Sequence, residues 1–73
     1  MEKYDLVGVD GNAFSVMGYV RNALKETGLR HLMDEYSDKA MFSDYNNLLS
    51  VSIEYLDKAN ERANKNNWEE EED

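Results

Sequence analysis

The chain contains no cysteine and no proline, and only one histidine and one tryptophan among 73 residues. Without cysteine there is neither a disulfide nor a thiolate metal site. Without proline nothing forbids long helices. No apolar run approaches the ~20 residues that span a bilayer. The short apolar stretch near the N-terminus is flanked by Asp5 and Asp10 and is too brief for a signal-peptide core. These features point to a cytoplasmic protein. Catalytic side chains are scarce too. Ser15, Ser37, Ser43, Ser50 and Ser52 have no histidine placed by sequence to activate them, and a chain this short has little room for a substrate pocket. The expectation is no enzyme, no cofactor and no bound metal.

What is present is charge of one sign. Sixteen acids against eight bases give a net charge of −8, and the run Glu69, Glu70, Glu71, Glu72, Asp73 ends the chain. Residues 1–68 hold 11 acids and 8 bases, so the body is mildly acidic and the tail strongly so. Direct binding to nucleic acid or to an anionic membrane needs a basic patch, so neither is expected. The length allows one domain. A domain of this size buries about 60% of its unfolded surface, which leaves self-association or a partner as natural further support.

Three helices are expected. Tyr4-Asp5-Leu6-Val7-Gly8-Val9 is apolar and β-branched and reads as an extended or β-like arm. Asp10-Gly11-Asn12 is a turn and helix start, because Asp and Asn oxygens accept the unpaired N–H groups of a first turn. Ala13, Val16, Met17, Val20, Ala23 and Leu24 follow at helical spacing, with Phe14 widening the stripe. Gly28 is the natural left-handed cap, giving a first helix over about 12–27. Leu29, Leu32, Met33, Tyr36 and Ala40 define a second over about 29–41. Arg30–Asp34 and Glu35–Lys39 are placed as ion pairs on its other side. Ser43 is the expected cap of the third helix, with Asp44 favoured by the helix dipole. Tyr45, Leu48, Leu49, Val51, Ile53, Tyr55 and Leu56 cover most of that helix's circumference, so it is expected to be central or to meet a second subunit. Beyond Asp57 the composition turns polar, and fraying is expected between 62 and 67. The domain is thus 1–63, followed by a flexible, disordered acidic tail, 64–73.

His31 and Glu35 share a helix face, but two ligands without a second cluster read as an ordinary charged face. Asp10-Gly11-Asn12 fails as a calcium loop, because Val16, Met17 and Val20 occupy positions that ligands require. Gly8 and Gly11 lack the lysine and spacing of a phosphate loop. Tyr36 and Tyr45 fit core stripes. Tyr19 and Tyr55 lie off the main stripes and are candidate partner anchors. Trp68 with Glu69 and Glu70 forms a peptide-like element suited to a basic, apolar groove on a partner.

The motifs Asp10-Gly11-Asn12-Ala13-Phe14 and Ala40-Met41-Phe42-Ser43-Asp44-Tyr45-Asn46-Asn47-Leu48-Leu49 resemble those of a family of short uncharacterised proteins of phages, prophages and bacteria, over roughly residues 4–57. In that family the second motif often reads Ser-Gly-Asp-Tyr-Asp-His-Leu-Leu. Here Phe42-Ser43 replaces Ser-Gly, and Asn47 stands where His is frequent. The resemblance implies a mobile-element origin in a bacterial host and carries over no functional residue. The expected function is a non-catalytic interaction protein that binds a host or phage protein, with a homodimer as an open option. The alternative is an anti-defence inhibitor that mimics DNA charge and binds a nucleic-acid enzyme.

Overall fold

A computed structural model describes the backbone from Lys3 to Glu72 and the side chains from Lys3 to Lys65. Helix α1 spans Ala13–Glu26, a 3₁₀ turn spans Arg30–Leu32, α2 spans Met33–Ala40 and α3 spans Tyr45–Glu72. The expected three-helix domain is the observed one. Among the described residues no helix is long and apolar enough to cross a membrane.

Local chemistry explains the boundaries of α1. Asn12 caps it, its Oδ1 accepting the Phe14 N–H at 2.8 Å. At the far end Gly28 adopts φ +80°. Its N–H donates to the Lys25 carbonyl, and that of Leu29 to the Leu24 carbonyl at 2.8 Å, a Schellman motif. Thr27 is buried there, its hydroxyl donating to the Ala23 carbonyl at 2.9 Å.

The second helix differs from the expected single segment. Its first turn is 3₁₀ and has no side-chain cap at Leu29. No Asp, Asn, Ser or Thr stands at Leu29 to accept the first N–H groups, so the chain enters through the tighter i→i+3 turn. The third helix is capped by Asp44 rather than Ser43. Asp44 Oδ1 accepts the Asn47 N–H at 3.0 Å, and its carbonyl accepts that of Leu48 at 3.0 Å.

Val16, Val20, Ala23 and Leu24 of α1 meet Tyr36 and Ala40 of α2 and Leu48, Tyr55, Leu56, Ala59 and Ala63 of α3. α3 packs against both other helices, as its apolar content suggests. It is not buried all round, however. Its buried positions, 48, 52, 55, 56, 59, 60 and 63, form one face, while Ile53 is 55% exposed. Both neighbours sit on that one face, which is all that a 3.6-residue period can present to them. Buried Ser52 is satisfied by a 2.6 Å hydrogen bond with the Tyr36 hydroxyl.

The N-terminal arm forms no strand among the described residues. It is held by side chains instead. Tyr4 N–H donates to Asn60 Oδ1 at 2.7 Å, and Asn60 Nδ2 donates to the Tyr4 carbonyl at 2.7 Å. The Asn60 amide thus supplies the donor and acceptor that a neighbouring strand would have supplied. From Tyr4 the arm runs back along α1 and tightens through Gly8 at φ +87°. α3 remains helical through the range where fraying is expected, as far as side chains are described. The flexible tail expected at 64–73 falls for the most part outside the described side chains.

Candidate interaction surface

The two tyrosines expected as free anchors are already engaged. Tyr55 is fully buried, against the expectation of an off-stripe exposed ring. Its ring packs on Tyr36 with centroids 5.4 Å apart, and its hydroxyl donates to Glu35. Lys39 and Lys58 stand over the ring, 5.7 and 5.8 Å from its centroid. Burial, then the bond to Glu35, pushes the Tyr55 hydroxyl pKa up, while Lys39 pulls it down. Among the described residues the expected Glu35–Lys39 ion pair does not form; Glu35 and Lys39 each meet Tyr55 instead. Arg30–Asp34 is replaced as well: among the described residues, Asp34 pairs with Arg21 at 3.7 Å. Arg21 also donates to Ser37 Oγ at 2.6 Å and to the Met33 carbonyl at 3.1 Å, binding α1 to α2.

Tyr19 is half-buried. Its ring meets Tyr4 edge-on at 6.3 Å, and its hydroxyl accepts the Asp5 N–H at 3.2 Å. It holds the arm rather than standing free. Tyr45, expected in the core, is 42% exposed and donates its hydroxyl to the Gly11 carbonyl, tying the start of α3 to the start of α1. Trp68, Glu69 and Glu70 lie outside the described side chains. His31 is exposed, and among the described residues no three His, Cys, Asp or Glu side chains converge on a metal position.

The surface that sequence periodicity missed is at one end of the bundle, where α1 begins, α2 ends and α3 begins. Phe14 is 81% exposed, Phe42 87% and Met41 67%. Ala13, Met17, Ala40, Met41, Tyr45 and Leu48 line a shallow cleft of about 280 Å³ there. Phe42 lines a neighbouring one of about 410 Å³ with Val51, Asn47, Asp38 and Lys39. Phe14 is the second residue of α1 and points away from the stripe it was expected to widen. The available signal was the run Ala40-Met41-Phe42, which continues apolar past the last helical position. A helix ending at Ala40 cannot turn Met41 and Phe42 into its core face. Asn47 braces this end, its Nδ2 donating to the Lys39 carbonyl at 2.9 Å. Asp10, Asp38 and Asp44 are exposed in the same segments, with Lys39 as their cation.

A third cleft, of about 430 Å³, lies between the arm and the outer side of α3, with Leu6, Val7, Ile53 and Leu56 among its lining. Val7 is 90% exposed at its edge. Compared with known protein families, curated proteins and solved structures, the chain matches none.

Proposed function

We propose that this is a non-catalytic protein–protein interaction protein of phage or mobile-element type, acting in the bacterial cytoplasm on a host or phage protein. The observation that supports it is the exposure of Phe14, Met41 and Phe42 at one end of a bundle whose other large side chains are mostly packed. Exposed aromatic and methionine side chains at the same end favour a docking surface over incidental exposure. The acids Asp10, Asp38 and Asp44 around them suit a partner groove with an apolar floor and a basic rim. The Asp10-to-Phe14 and Ala40-to-Leu49 motifs, which suggest the mobile-element origin, are the segments that build this end.

The test is capture from bacterial host lysate with the full chain, a Phe14→Ser/Phe42→Ser variant and a chain ending at Asn67. A partner held by the full and shortened chains but lost from the double variant supports the reading. Equal retention by all three overturns it. Charge mimicry of DNA draws less support, because the eight bases of the body are interspersed with its acids. Binding that collapses steeply with salt would favour mimicry, whereas an apolar interface responds weakly.

A further inference from the structure

The opposite end of the bundle carries a groove of different character. Between the 3₁₀ turn and α3, Leu29 and Leu32 line a cleft of about 230 Å³ together with Lys58, Glu61, Arg62 and Lys65. The two leucines are half-buried, and the four α3 residues are exposed. Lys58, Arg62 and Lys65 are spaced by four and three residues and so share one side of α3. Among the described residues none of these three forms an ion pair, and Lys58 reaches only the Tyr55 ring. The groove therefore presents three cations and one acid around an apolar floor.

The sequence carries the complement to this groove, an aromatic residue followed by five acids, Trp68 to Asp73. We infer that the groove binds the Trp68–Asp73 segment of a second copy of this chain, Trp68 against Leu29 and Leu32 and the acids against Lys58, Arg62 and Lys65. The segment's own groove is out of reach, because both follow one another along the same helix, Tyr45–Glu72. That arrangement also sets the symmetry. Two copies with α3 antiparallel place each acidic segment on the other's groove, a self-complementary contact that closes as a two-fold dimer. Single exposed ion pairs contribute little. The association rests on the array of charges together with burial of an aromatic anchor.

Net charge opposes this contact, since each chain carries −8 and like-charged chains repel. The opposition makes the test discriminating. Light scattering of the full chain, at tens of micromolar and near-physiological salt, is expected to give about twice the 8.5 kDa of one chain. A chain ending at Asn67 loses its five terminal acids and much of the repulsion, yet is expected to fall to the single-chain mass. Lys58→Glu/Arg62→Glu/Lys65→Glu is expected to be monomeric, and so is a chain with Glu69, Glu70, Glu71 and Glu72 all changed to Lys. Mixed in equal amounts, these two charge-reversed chains are complementary at both contacts and are expected to recover the double mass. Circular dichroism of each variant checks that its helices are retained. A full chain that stays monomeric overturns the inference. So does a shortened chain that dimerises as well as the full one, or a mixture that fails to associate. Phe14, Met41 and Phe42 are untouched in all of these variants, so failure here is distinguishable from failure of the proposed partner surface.

Discussion

The two ends of this bundle are finished in different ways. Where α1 ends, Gly28 closes a Schellman motif, Thr27 is buried, and Arg62 lies across the glycine, 3.5 Å from where a Cβ would stand. Tyr4 joins the arm to α3 through Asn60 and to α1 through Glu26, whose carboxylate accepts its hydroxyl at 2.9 Å. Where α1 begins, the Tyr45 hydroxyl bond to Gly11 and the Asn47 amide bond to Lys39 tie the elements, and Phe14, Met41 and Phe42 face solvent. Buried polar groups must be satisfied, so the first end is costly to disturb. Exposed apolar groups gain nothing from the fold, so the second end can change with little effect on stability and is free to serve recognition.

The sharpest break in that comparison comes from Asn60. Asn60→Ala leaves the Tyr4 N–H and carbonyl without the partners they have in the native chain. We expect a loss of roughly 2–3 kcal/mol, the scale for buried polar groups left unpaired. Urea unfolding of the variant beside the native chain measures it. A loss below about 0.5 kcal/mol, the range of an ordinary surface substitution, would mean that the arm is not docked through this amide.

The same end should also be the alkali-sensitive one. The Tyr4 hydroxyl is pushed up from its ordinary 10.0 to about 12, chiefly by burial and then by its hydrogen bond to Glu26. Tyr36 and Tyr55 are also raised, chiefly by burial. A raised folded-state value means that the fold prefers the neutral phenol. This stabilisation is fully present below the unfolded-state pKa and is lost as pH climbs through the folded one. Each such tyrosine can remove up to about 1.4 kcal/mol per pH unit in that window. Stability should therefore fall between pH 10 and about 12. Tyr4→Phe should flatten part of the slope, read from urea midpoints across that range. An unchanged slope in the variant would remove Tyr4 as a source of the sensitivity.

Periodicity made the core legible. The α1 stripe and the left-handed Gly28 were readable because helical spacing and a glycine at a helix end each have one local meaning. The mistaken readings came where a side chain's fate depends on elements distant in sequence. Tyr55 looked off-stripe because its own helix does not reveal that Tyr36 and Glu35 close over it. Asn60 sits in a polar stretch, and its amide pairs with the arm, 56 residues away. Phe14 fitted a stripe by spacing but stands in the first turn, where no neighbouring helix reaches it.

The Ser43-Asp44 pair shows how narrow such a misreading can be, and it supplies the smallest of these tests. Either residue can cap a helix, and the sequence favours neither strongly. In the structure Asp44 accepts the Asn47 N–H at 3.0 Å and also brings negative charge to the positive end of α3. Asp44→Ala should therefore cost about 1 kcal/mol, whereas Ser43→Ala should stay within about 0.5 kcal/mol of the native chain. The reverse ranking, read from the same urea midpoints, would move the start of α3 back by one residue. That shift would re-aim Tyr45 away from Gly11 and, with it, undo the tie that holds the recognition end together.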